Sequence, residues 1–145
     1  MSSTIDTNVL LYASDASSRF HSKALDLLDG LARGPDLFYV FWPVLMGYLR
    51  IATHPAIFTR PLSIEEATGN IEQLLALPHA RTAGEIEDFW NVYQSVTTEV
   101  KVRGNLVPDA HIVALMRQSG VSTIWTHDRD FRKFDGVRVR DPFAR

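Results

Sequence analysis

The sequence predicts an α/β sandwich with a mostly parallel central sheet, and three observations carry that expectation. Short strand-like segments alternate with helical ones, the pattern of parallel sheets with crossover helices. The segment at 37–42, LFYVFW, is aromatic-rich and bounded by Pro35 and Pro43, as suits a buried strand. Aspartates follow directly after predicted strands, where open sheets of this kind gather ligands.

Each element has its own signal. Residues 2–5 read as a short strand running into Asp6, and 7–13 as a helix that Asp6 and Thr7 can cap. Residues 21–32 place Ala24, Leu25, Leu27, Leu28 and Leu31 at helical spacing before Arg33-Gly34-Pro35 ends the run. Pro43 suits a first helical turn, which predicts a helix over 44–52, closed before His54-Pro55. Ser63 and Glu66 form a capping-box pair that opens a helix running through Leu75 and stopping before Pro78. Residues 82–100 intersperse Ile86, Phe89, Trp90 and Tyr93 with acids and read as one amphipathic segment; 101–107 reads as a loop. A helix over 108–118 has Pro at its front and Gly120 behind it. A strand at 122–126, a helical turn at 130–134 with Phe131 in the core, and a last strand at 137–139 complete the chain.

The 145 residues, 46% hydrophobic, suit one domain spanning 1–145 with a substantial core. The absence of cysteine excludes a disulfide framework, a thiolate metal site and a Cys nucleophile. No apolar run approaches the ~20 residues of a membrane span. The first residues carry no basic leader, so a cytoplasmic protein with no membrane role is expected. Net charge is only −2 but unevenly spread, −6 over residues 1–100 and +4 over 101–145. Arg129, Arg132, Lys133, Arg138, Arg140 and Arg145 crowd the end, which could hold phosphates or simply form a solvated face.

Asp6 and Asp128 stand at strand ends, and Asp109 starts the helix that feeds the 122–126 strand. Carboxylates converging from three such places suit Mg²⁺ or Mn²⁺, hard ions that take oxygen ligands and keep several waters. Each aspartate taken alone also reads as a plain helix cap.

Three motifs give these acids a context. IDTNVL at 5–10, NLVPDAHIVAL at 105–115 and TIWTHDRDF at 123–131 resemble, in order and spacing, motifs of the PIN-domain ribonucleases. FWPVLMGYLRIATHP at 41–55, with GNLVPDAH at 104–111, is similar to one subgroup of the toxin subunits of bacterial VapBC toxin–antitoxin pairs. The resemblance covers nearly the whole chain. It implies a PIN-like three-layer α/β/α sandwich and a Mg²⁺- or Mn²⁺-dependent endoribonuclease that cuts structured RNA, tRNA or ribosomal RNA, and arrests translation. It also implies a cognate VapB-type antitoxin that inserts a segment into the acidic cleft, and a homodimer. By position, Asp6, Asp109 and Asp128 become the metal-binding carboxylates. Thr126 would orient a carboxylate or water, Asn8 would brace the Asp6 loop, and Asp130 would support from just outside.

The chain departs from the family at one position. The second motif usually places a Glu three residues before an Arg; here Arg50 is present but Gly47 occupies the Glu position, and no acid lies between Asp36 and Glu65. Three protein carboxylates instead of four should bind metal more weakly. A catalytically impaired module that holds RNA or antitoxin is therefore the alternative. A haloacid-dehalogenase-type phosphatase is disfavoured because Asn8, not Asp, follows two residues after Asp6. Arg129, Arg132 and Lys133 are the phosphate-binding candidates, and Arg50 could reach a carboxylate or the substrate backbone. His127 adjoins Asp128 and could lie near substrate; the other histidines read as surface, cap or packing residues. Trp42 and Trp125 read as core, whereas Trp90, with Phe89 and Tyr93, reads as either core or a stacking surface.

Overall fold

The computed structural model describes residues 1–144; Arg145, counted above with the basic tail, lies outside them. Five strands form one sheet in the order β3-β2-β1-β4-β5, and every neighbouring pair is parallel. In chain order the elements are β1 (Ser3–Ile5), α1 (Thr7–Ala13), α2 (His21–Arg33), β2 (Phe38–Phe41), α3 (Trp42–Ala52) and α4 (Ile64–Leu75). There follow β3 (Ala80–Ala83), α5 (Phe89–Glu99), α6 (Leu106–Gln118), β4 (Thr123–Trp125), a 3-10 turn (Arg129–Lys133) and β5 (Arg138–Arg140).

The order of strands decides where the helices lie. From β1 the chain steps to β2 and β3 in one direction, then returns across the sheet to β4 and β5. Right-handed crossovers put helices of opposite stepping direction on opposite faces, giving three layers. Accordingly α1 packs on α2 and α3, and α3 on α4, whereas α5 packs on α6. The reversal falls between β1 and β4. That is the topological switch point, and a crevice opens there beyond the strand C-termini.

The sheet is buried on both faces in its middle. Ile5, Val9, Phe38, Val40, Phe41, Leu45, Leu115 and Ile124 are all fully enclosed. Each such side chain contributes about 1.5–3 kcal/mol by leaving water. Thr4, also fully buried, satisfies its hydroxyl by donating to the Tyr39 carbonyl at 2.8 Å. Ser63 and Glu66 form the expected capping box on α4. Among the described residues no helix is long and apolar enough to cross a membrane.

Several boundaries differ from the sequence reading. The segment at 82–100 is not one helical stretch: β3 ends at Ala83 and α5 begins only at Phe89. β3 is an edge strand, paired with β2 alone, and its Arg81 and Thr82 are exposed. An edge strand of this kind needs no apolar run, so its composition is silent. Trp42 belongs to α3 rather than to the strand before it, and at 43% exposed it is not a core residue. α6 starts at Leu106, ahead of Pro108, because a proline within the first turn costs no helical hydrogen bond. The last strand covers Arg138–Arg140, one residue later than expected. Phe131 is buried as anticipated.

Candidate metal centre

Asp6 ends β1 and caps α1. Its backbone is extended (φ −83°, ψ 160°), and Oδ1 accepts the Thr7 N–H at 2.7 Å. The other carboxylate oxygen, Oδ2, accepts the Thr126 hydroxyl at 2.7 Å. Thr126 is fully buried at the end of β4, and its Oγ1 in turn accepts the Asp128 N–H at 2.9 Å. One hydroxyl therefore ties the loops after β1 and β4 together at the switch point. Asp128 caps the 3-10 turn, its Oδ1 accepting the Asp130 N–H at 2.9 Å. Asp109 arrives from the first turn of α6.

One carboxylate oxygen from each of Asp109, Asp128 and Asp130 lies within 4.8 Å of the others, and all three residues are half-buried. Asp6 stands beside this group. Burial raises its carboxyl above the usual range despite the Thr126 and Thr7 hydrogen bonds, and the Asp128 charge adds to the rise. The Asp109 carboxyl is pushed up to about 7, first by burial and then by the charges of Asp128, Asp6 and Asp130; Lys133 opposes this. Lys133 Nζ pairs with Asp130 at 3.0 Å. Four acids against one lysine leave negative charge that a proton or a cation must balance. The donor set is all carboxylate oxygen, which fits a hard divalent ion and not a soft one.

The other expected residues are placed less centrally. Asn8 is half-buried on α1, and among the described residues no hydrogen bond engages its side chain; the Asp6 loop is held by Thr7 and Thr126. Arg50 is exposed in the last turn of α3 and makes no ion pair with the site acids among the described residues. His127 turns toward the C-terminal segment, where Nδ1 meets Asp141 at 2.8 Å and the ring packs on Phe20 and Phe143. Arg129 and Arg132 are exposed on the 3-10 turn, directly after Asp128. Gly47 faces the start of α1: a Cβ there would meet Thr7 Oγ1 at 3.5 Å and Cγ2 at 3.7 Å. The position where a Glu is expected thus faces the residue after Asp6.

Two features had no clear signal in the sequence. Lys133 faces Asp130 instead of standing free for phosphate, a pairing that the i,i+3 spacing allowed but did not announce. His111 pairs with Glu85 across 26 residues of chain, which spacing could not reveal.

Fold and site together define a carboxylate-centred doubly wound α/β domain, and the family model of the PIN domain matches residues 4–137. The chain belongs to the PIN-domain family. It is 55% identical to the ribonuclease VapC48 of Mycobacterium tuberculosis over 99% of each chain. It is 36% identical to ribonuclease VapC37 of the same organism, over 97% of this chain and 96% of that one. Among solved structures, VapBC2 from Rickettsia felis superposes with a TM-score of 0.70 at 15% identity, covering 97% of this chain and 98% of that one. The sarcin–ricin loop cleaving toxin VapC20 of Mycobacterium tuberculosis gives 0.67 at 20% identity over 94% and 98%. At those identities the likeness is one of fold.

Proposed function

We propose that this chain is the toxin of a toxin–antitoxin pair, a metal-dependent endoribonuclease acting on structured cellular RNA, tRNA or ribosomal RNA, and thereby arresting translation. The observation that carries this reading is the convergence of Asp109, Asp128 and Asp130 at the switch point of a PIN fold, with Asp6 beside them and near enough for its charge to raise the Asp109 carboxyl. The ribonuclease names of its relatives at 55% and 36% identity support it.

Asp109, Asp128 and Asp130, with Asp6 beside them, would hold Mg²⁺ or Mn²⁺. Such an ion supplies positive charge for phosphoryl oxygens and lowers the pKa of water at neutral pH. The protein's own part is positional. The Thr126 hydroxyl fixes Asp6 and orients the Asp128 loop. The Asp109 carboxyl, pushed up to about 7, is only partly ionised at neutral pH in the metal-free protein, so cation binding would displace protons from it. Arg129 and Arg132 present cations to the backbone of an RNA lying across the acids.

The partner is a VapB-type antitoxin. The R. felis neighbour is a VapBC structure, and another neighbour is a toxin–antitoxin complex from Klebsiella pneumoniae. An acidic cleft is complementary to an inserted arginine. A homodimer and a cytoplasmic location complete the reading. Gly47 supports a second one, a module that binds RNA or antitoxin without turnover, because α3 carries no acid at the position where the second motif would place a Glu.

Cleavage of total tRNA and ribosomal RNA by the purified chain, with Mn²⁺, Mg²⁺ or chelator, separates the two. Discrete metal-dependent products that vanish in Asp6→Asn establish the nuclease. Retained RNA without any product, in a folded protein, establishes the binding module. Asparagine still caps α1, so the variant leaves the fold in place.

A further inference from the structure

The pairing of β4 with β5 continues past the ends of both strands. Beyond Trp125 and Arg140, which face each other in register, the Thr126 N–H donates to the Arg140 carbonyl at 2.9 Å. One residue further on each side, His127 Nδ1 meets Asp141 Oδ2 at 2.8 Å. The other oxygen of Asp141 accepts the Phe143 N–H at 2.8 Å, a side-chain turn that closes the segment on itself. Phe143 is buried, and its ring meets Tyr12 edge-on at 5.1 Å, Phe20 at 4.8 Å and His127 edge-on at 5.8 Å. Phe20 also packs on His127 at 5.1 Å. Rings from four stretches of chain therefore meet: the last turn of α1, the α1–α2 connection, the residue before Asp128, and the segment after β5. Since α1 is the helix that Asp6 caps, the cluster joins the segments that carry Asp6 and Asp128.

We propose that Asp141 and Phe143 are positioning residues, which act through His127 to set the backbone of the loop that carries Asp128 and Asp130. Its consequence for metal binding rests on the reading of the acids as a metal centre; its geometry does not. Packing of rings alone would close the core at this end and would need no polar lock. Asp141, its side chain only 18% exposed, nevertheless has both oxygens engaged, one of them on His127. Apolar contact has no direction, whereas a hydrogen bond does, so this pair fixes how the imidazole is turned. The loop needs such a hold. Asp109, Asp128 and Asp130 bring carboxylate oxygens within 4.8 Å of one another, and like charges that close drive apart without a cation. Asp109 is held by a helix, but Asp128 precedes the 3-10 turn on a loop, where the anchor on its chain neighbour opposes that drift.

The test is amide hydrogen exchange of the metal-free protein, resolved by residue with NMR, beside calorimetric titration with Mn²⁺. In Asp141→Ala and in Phe143→Leu the Asp128 and Asp130 amides should exchange about 2- to 10-fold faster, while β1 and α6 keep the wild-type rates. Mn²⁺ affinity should fall by about 10-fold, the lower end of what orienting partners of a metal ligand give. Asp141→Asn keeps a donor and an acceptor and should recover most of both. Val96→Ala, a truncation of a buried residue on α5, should cost stability and leave Mn²⁺ affinity unchanged. Wild-type exchange at Asp128 and Asp130 in Asp141→Ala overturns the proposal. So does exchange raised evenly through the sheet, as in Val96→Ala, because the segment then serves stability alone. Faster loop exchange with undiminished Mn²⁺ affinity overturns it too, since the loop then moves without moving the acids. A wild type that binds no Mn²⁺ refutes the metal centre instead, and the exchange rates alone then decide whether residues 141–143 hold the loop.

Discussion

The Thr126 hydroxyl donates to Asp6 Oδ2 at 2.7 Å across 120 residues of chain, and Thr126 Oγ1 in turn accepts the Asp128 N–H at 2.9 Å. A buried carboxylate is costly without such a donor, and here one side chain serves both acidic loops. Thr126→Val keeps the shape and removes both bonds. We expect a loss of about 1–3 kcal/mol in stability, measured by urea unfolding at neutral pH. Mn²⁺ affinity should fall with it, while Thr126→Ser should recover most of both. Unchanged Mn²⁺ binding in the valine variant would show that the hydroxyl does not position the acids.

The pH dependence of metal-free stability follows from Asp109. Its folded carboxyl sits at about 7, whereas an unfolded aspartate titrates near about 3.9. Because the folded value is the higher, the folded state keeps a proton that the unfolded state has already lost between the two. Its stabilising contribution is complete below the unfolded value and disappears as pH rises through about 7. Asp6, also raised, acts in the same direction. Glu85, lowered first by a hydrogen bond from its own backbone N–H and then by His111, and Glu99, lowered by Arg117, lose their contributions only on the acid side of the usual carboxylate range. The midpoint temperature in chelator should therefore drop between about pH 4 and about pH 7, and Mg²⁺ should restore it at the upper end. Asp109→Asn should flatten the drop; an unaltered slope in that variant would remove Asp109 as its source.

Much of this site was legible in the sequence because strand ends are. Asp6 and Asp128 follow segments that read as short strands, and Pro108 marks the front of the helix carrying Asp109. What stayed hidden has physical reasons. β3 is a polar edge strand with one bonded neighbour, so neither alternation nor an apolar run betrays it. Trp42 looked like core because its type is usually enclosed, yet it begins a helix at the open end of the sheet. The place of Asp130 within the carboxylate group depends on the tight 3-10 turn that folds it back toward Asp128 and Asp109, a geometry no spacing rule supplies.

Arg129 and Arg132 should act on RNA through charge alone. Each is exposed and, unlike Lys133, stands outside the ion pair with Asp130. Replacing either with alanine should weaken binding of unrelated RNAs by similar factors. The slope of log affinity against log salt should shrink by about 0.7 per residue for a single strand. A variant that changes preference between RNAs without changing that slope would point to a base contact instead.

Gly47 stands where the motif resemblance leads one to expect a Glu, and the structure makes the consequence testable. A Cβ at this position meets only Thr7, at 3.5 and 3.7 Å, which is ordinary contact, so a side chain fits. Gly47→Ala should stabilise α3 by about 0.5–1 kcal/mol through helix propensity and leave metal binding alone. Gly47→Glu should do more. It brings a carboxylate to the start of α1, beside Asp6, and adds negative charge to a group already short of cations. Metal-free protein should then lose stability relative to the alanine variant at alkaline pH, and Mn²⁺ should bind more tightly. Calorimetric titration of both variants isolates the charge from the helix effect. Equal Mn²⁺ affinities would mean that position 47 does not reach the centre, and the three-carboxylate group with Asp6 would then be the whole of it.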